Sequence, residues 1–188
     1  LLKNMGEYCD LIAIPQARVL LNEAESQRFH EELLMIVSQS NAAFALIEAP
    51  RLMNPTQAVD WAQHLSSPDA ALYYPSVISR GKESSALPSI AALYQKTDTQ
   101  KGIAELPTMS PFQSDVIPSL RLTPSQQMEL LAGKINSVIL SPGHQGQVRV
   151  WGGHTLARPP ELEFALIPIR RTVRALREAL ESIAESYV

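Results

Sequence analysis

Cysteine is nearly absent from this sequence: Cys9 is the one thiol in 188 residues. No intrachain disulfide can form, and nothing argues for an oxidising compartment. Cys9 follows Tyr8 and precedes Asp10, with no basic neighbour to stabilise a thiolate, so it reads as a structural thiol. An excess of positive charge is missing too. Lys and Arg number 16 against 19 Asp and Glu, a net charge of −3, where a free nucleic-acid binder carries a basic surplus. No apolar run approaches the ~20 residues that cross a bilayer, so neither nucleic acid nor membrane insertion is expected. The start, Leu1-Leu2-Lys3-Asn4, has neither an initiator Met nor the charged-then-apolar order of a signal peptide. The expectation is a fragment that is not exported by such a signal.

The motifs of common chemistries are also lacking. There is no Gly-x-Gly-x-x-Gly and no Walker loop, and Gly143 to Gly146 is too short to cradle a phosphate. No serine sits in a Gly-x-Ser-x-Gly elbow or a subtilase-like helix start. Of the four histidines, His30 and His64 fall on amphipathic helical stretches and read as structural. His144 and His154 lie ten residues apart without a nearby Asp, Glu or Cys, the closest downstream acids being Glu161 and Glu163. A metal site needs several converging ligands, so neither a metal nor any other cofactor is expected.

What is present is a regular alternation. Leu11 to Ile14, Phe44 to Ile47 and Ala70 to Tyr74 are short apolar runs, each followed within a few residues by Pro15, Pro50 or Pro75, as expected for buried strands. Between them, Phe29, Leu33, Ile36 and Val37 recur at helical spacing after Asn22, a helix cap followed by Glu23 and Glu25. Pro55 and Thr56 open a second helix with Val59, Ala62 and Leu65 on one face. Strand, helix, strand, helix, strand at these lengths predicts an α/β fold with neighbouring parallel strands. Ser76 to Leu87 reads as a polar surface loop. Ser89 to Tyr94 is helical in character, and Thr99 to Leu122, with three prolines, reads as a long irregular excursion more mobile than the strands. Thr123-Pro124-Ser125-Gln126 is a helix start ending near Gly133. Ser137 to Leu140 and Gln147 to Trp151 flank a turn. The fold class is therefore α/β: a mixed, mainly parallel sheet, helices on both faces, and a long loop excursion.

Five pieces carry more than secondary structure. They are Ala70 to Pro75 (AALYYP); Pro88 to Tyr94, continuing to Thr97-Asp98, Lys101-Gly102 and Pro107; Gly133-Lys134-Ile135-Asn136 with Ser141-Pro142-Gly143 and Gly146; Trp151-Gly152-Gly153-His154-Thr155-Leu156; and Pro168-Ile169-Arg170-Arg171. In this order, over roughly Leu11 to Arg171, the chain resembles the contractile tail sheath family of phages and phage-derived injection machines. Residues 1–168 would be the core domain of a sheath subunit, and 169–188 a helix leading into a C-terminal domain that is truncated here. The resemblance implies a structural subunit, not an enzyme. Its copies stack as hexameric rings around a tail tube and contract to drive the tube through a target envelope. The implied partners are other sheath subunits and the tube protein, and the implied location is a virion tail or a particle assembled in the bacterial cytoplasm. In isolation the fragment is expected to be monomeric or weakly associated. His154 stands where the family pattern has Arg, so any contact of that Arg is not carried over.

The last helix has the cleanest period. Ile169, Val173, Leu176, Leu180, Ile183 and Tyr187 are spaced 4, 3, 4, 3, 4. Its charges run basic then acidic, with Arg170, Arg171, Arg174 and Arg177 ahead of Glu178, Glu181 and Glu185, an order that opposes the helix dipole. Two readings stand for the arginines: a solvated face, or an acidic partner at a subunit or tube interface. Two other functions stay open: an α/β hydrolase-like enzyme with a site near His144 and His154, and an adaptor module with one discrete partner patch.

Overall fold

The computed structural model describes residues 11–39, 43–107, 110–112, 115–141, 143 and 146–186. Its main sheet has five strands: β1 (Leu11–Ala13), β2 (Phe44–Glu48), β3 (Ala70–Tyr74), β7 (Ile135–Ser141) and β8 (Gln147–Trp151), in the order β1-β2-β3-β7-β8. The first four are parallel; β8 returns antiparallel to β7. The three apolar runs are therefore neighbours in one sheet, as their spacing predicts. Every residue of β2 and β3 is buried, the condition of parallel strands covered on both faces.

Alternation assigns each strand residue to one of two cores. On one side Ala45, Ile47, Leu72 and Ile135 pack against α2 (Glu23–Gln39), α3 (Pro55–Ala62) and α5 (Pro124–Ala132) through Leu33, Leu34, Val37, Ala58, Trp61, Ala62 and Leu130. On the other side Phe44, Leu46, Ala71, Tyr73 and Val138 meet α4 (Leu87–Lys101) through Leu87, Ile90, Leu93 and Tyr94. Helices thus cover both faces.

Three helices begin with reciprocal caps, each satisfying two otherwise orphaned N–H groups. Asn22 and Glu25, Asn54 and Gln57, and Thr123 and Gln126 each exchange side-chain and backbone hydrogen bonds. The Asn22 and Thr123 starts are legible in the sequence. A four-residue helix, α1 (Ala17–Leu20), is not. His30 is fully interior: Nδ1 lies 2.7 Å from the Ser26 carbonyl, and the ring meets Phe29 and Trp61 edge-on.

Two expectations need correction. Ser76 to Leu87 is not a plain surface loop, because β4 (Val77–Ser79) pairs antiparallel with β5 (Lys82–Ser84) across Arg80-Gly81. Thr99 to Leu122 is not wholly irregular either. Its first three residues finish α4, and β6 (Val116–Pro118) pairs with β4, making a second sheet β5-β4-β6. Phe112 and Val116 are buried in the α4-side core. The small sheet is tied to the large one by charge. Glu83 accepts from Arg18 (2.6 Å), Ser76 (2.7 Å) and Arg51 (3.1 Å). Burial pushes the Glu83 carboxyl up, but these three donors outweigh it and hold it at about 2. Glu48, at the end of β2, accepts from the Ser85 hydroxyl and the Ala86 N–H at the start of α4.

Candidate assembly interface

The last helix, α6 (Ile167–Glu185), has Pro168 in its first turn and no side-chain cap. It is held instead by two carboxylates far away in sequence. Arg170 Nε and Nη2 donate to the two oxygens of Asp69 at 2.7 and 2.8 Å, and Arg174 Nη1 donates to the same carboxylate. Arg171 forms the matching fork on Asp98 at 2.9 and 2.6 Å. Asp69 is 2% exposed and directly precedes β3; Asp98 lies in the last turn of α4. Planar forks of this kind are the strongest hydrogen-bonded ion pairs. They offset the unfavourable placement of cations at a helix start. For Arg170, Arg171 and Arg174 the acidic partner is in the same chain. Arg177 alone of the four is well exposed, and it pairs along the helix with Glu181 at 2.8 Å.

The five sequence pieces converge on this anchorage. Tyr73 and Tyr94 share a buried hydroxyl–hydroxyl bond of 2.7 Å, and the Arg171 guanidinium lies over the Tyr94 ring. Asn136 is fully buried; its amide donates to the carbonyls of Leu72 (3.1 Å) and His154 (2.8 Å), and its oxygen accepts from His154 N–H (2.9 Å). Gly152 is required here: its φ is +126°, and a Cβ would stand 2.6 Å from the Asn136 side-chain oxygen. Thr155 Oγ1 donates to the Phe164 carbonyl, fixing the turn that leads into α6. Leu156 N–H donates to Ala70 O, so this segment also seats beside β3. Tyr73, Tyr94, Asp98, Asn136, His154, Leu156 and Arg171 are struts, each in contact with another piece of the pattern.

The outward side of α6 is apolar. Leu176, Leu180 and Ile183 are 60%, 66% and 55% exposed, and Leu162, Leu166, Ile169 and Val173 continue the row toward the body with substantial exposure. Val173, Leu176, Leu180 and Ala184 line a shallow apolar groove edged by Arg177 and Glu181. The usual arrangement is inverted, with arginines inward and leucines outward. A contiguous row of this kind marks an interaction surface. Tyr187, the last residue of the seam, lies outside the described residues.

Among the described residues His154 does not assemble with a nucleophile and an acid: its Nδ1 is buried and makes no hydrogen bond. Burial, then the nearby Lys134 charge, lower its pKa. His144, like Cys9, lies outside the described residues. His64 is exposed on the stretch after α3. Among the described residues no three His, Cys, Asp or Glu side chains group as metal ligands. Sequence reading missed Asp69 as the pivot of the site. It also missed Arg158, whose guanidinium donates to the Leu65 and Ala62 carbonyls at the end of α3.

No family model and no curated protein matches the sequence; solved structures do. All of the chain (100%) aligns with 50% of a chain from the helical sheath of the anti-feeding prophage in its contracted state, at 27% identity and a TM-score of 0.76. A chain of the six-fold symmetrised baseplate of the same prophage matches at 25% identity and a TM-score of 0.72, covering 89% of this chain and 44% of that one. The sheath tail protein of Desulfitobacterium hafniense shares the fold at 13% identity and a TM-score of 0.65, covering 99% and 42%. The chain spans about half the length of the chains it matches. In its fold and in the order of its five sequence pieces, the chain is similar to the sheath proteins of contractile tails and injection systems.

Proposed function

We propose that this chain is part of a structural subunit of a contractile tail sheath, stacked as hexameric rings around a tail tube and contracting to drive that tube through a target envelope. The observation that carries the reading is the match of the whole chain to a helical sheath at 27% identity. The physical demand on such a subunit is a rigid body whose mutual interfaces have two stable packings. A sheet covered by helices on both faces, with motif residues such as Tyr73, Asn136 and Arg171 spent on bracing, suits that demand. The role is mechanical, not enzymatic.

Residues 1–168 serve as the core, and α6 leads out of it into a further C-terminal domain. The basic stretch acts at the subunit or tube interface in two ways. Arg170, Arg171 and Arg174 aim α6 from within the core, while Arg177 and the apolar seam meet a neighbour. The partners are other sheath subunits and the tube, without nucleic acid or a bilayer, and the location is a virion tail or related particle assembled in the bacterial cytoplasm. Immunogold electron microscopy of purified particles tests this. Label along the whole tail shaft is the expected result; label confined to one end, or particles without label, would refute the sheath role.

A further inference from the structure

Arg18, on the short helix α1, is buried between two carboxylates that belong to different sheets. Its Nη2 donates to Glu83 of β5 at 2.6 Å. Its Nε is buried, makes no hydrogen bond among the described residues, and lies 3.7 Å from Glu48 at the end of β2, beyond hydrogen-bond reach. A buried donor without an acceptor is costly, and the guanidinium carries its donors in a fixed fork, so satisfying one end can strand another. Glu48 is itself held in place by the Ser85 hydroxyl and the Ala86 N–H. Burial outweighs the distant arginine charge and pushes its carboxyl up. A shift of the guanidinium by roughly 1 Å toward Glu48 closes that bond and gives up the one to Glu83. The β4–β5 hairpin is poised to follow. Val77 is the one buried residue of its two strands, and elements with so little burial open at low cost. Space lies on both sides: a groove of about 580 Å³ lined by Ile78, Arg80, Val116 and Val148, and one of about 320 Å³ lined by Arg18, Tyr74, Ser76 and Glu83.

We propose that Arg18 is a two-position switch: on Glu83 it latches the β4–β5 hairpin to the body, and on Glu48 it releases the hairpin while its own charge stays paired. The hinge on the far side is Ser85, which remains bonded to Glu48 in both positions. The large sheet is the same in the two states, so a rigid core carries one movable outer edge. Discrete alternatives of this kind, not continuous bending, are how packed proteins change shape. The inference stands apart from the sheath role, and its failure would leave that reading untouched.

Hydrogen exchange read by mass spectrometry tests it, because the two carboxylates act in opposite directions. Glu83→Gln weakens the latched seat, and amides 77–84 should exchange at least ~10-fold faster than in the unmodified chain, with those of 44–48 and 70–74 unchanged. Glu48→Gln weakens the released seat, and the same hairpin amides should exchange at least ~3-fold slower. If the two acids were simple braces, both substitutions would speed exchange. Hairpin amides unmoved by Glu83→Gln, or unmoved or faster in Glu48→Gln, would overturn the proposal. A second reading needs Glu83→Gln alone: the Arg18 Nε–H proton should move downfield in the NMR spectrum as it takes up Glu48. A signal that stays where it is in the unmodified chain would equally overturn the switch.

Discussion

Strand β3 and helix α6 bury opposite kinds of side chain. In β3 all five residues, Ala70 to Tyr74, are enclosed by two apolar cores. In α6 the residues turned inward beyond Ile167 are Arg171 and Arg174, and the aliphatic residues face out. The difference lies in what each element meets. β3 is walled by helices on both faces, so apolar burial, roughly 25 cal/mol per Å², decides its composition. The inner side of α6 meets Asp69 and Asp98, so paired guanidinium groups are what fit there. A hydrophobic period therefore states that a helix has an apolar face, not that this face belongs to its own core.

The largest expected effect would sharpen that contrast at its root. Asp69→Ala leaves Arg170 and Arg174 without their shared carboxylate, and removing one member of a buried pair costs about 3–5 kcal/mol. Urea denaturation should show a loss of that size, and tryptic cleavage between 170 and 177 should accelerate. A change under about 1 kcal/mol would mean that α6 is held by something else. Leu72→Ala, in the middle of β3, should cost about 3 kcal/mol through the cavity it leaves. A near-neutral result there would break the claim that β3 is the packed centre.

Acid should act on the small sheet with a smaller effect. The Glu83 carboxyl is held at about 2 against an ordinary 4.5, so its folded form binds the proton less tightly than the unfolded chain does. Its stabilisation is complete above 4.5 and is lost as pH falls toward 2. Glu48, pushed up chiefly by burial, works in the opposite direction, because folding favours its protonated form. The net expectation is a denaturation midpoint that falls on acidification below about pH 4.5, with a shallower fall in Glu83→Gln. Equal slopes in the two proteins would remove Glu83 from the account. The smallest effect belongs to the outward seam: Leu180→Asp should change the stability of the monomer by less than about 0.5 kcal/mol, as surface substitutions do. A cost of several kcal/mol would place Leu180 in a core and cancel the contrast with β3.

Much of the body was legible in the sequence because its signals are local. Three apolar runs stopped by prolines became three adjacent strands, and Thr123 with Gln126 became a cap. The small sheet was not legible. β5 is Lys82-Glu83-Ser84, with no apolar alternation to betray it, and β6 ends in Pro118, tolerable because β6 is an edge strand. At the site, the period of α6 was plain from its side chains, but the direction of its faces was not. Asp69 lies 101 residues from Arg170, and nothing short-range in the chain announces that pair. The motif pieces carried the resemblance to sheath proteins without disclosing that several of them brace one helix.

The central claim, that this chain repeats along a sheath, is tested most directly by counting it. Quantitative mass spectrometry of particles sorted by tail length should find copies of this chain rising in proportion to that length. A copy number that stays constant as the tail lengthens would contradict the account and assign the chain to a part present once per particle.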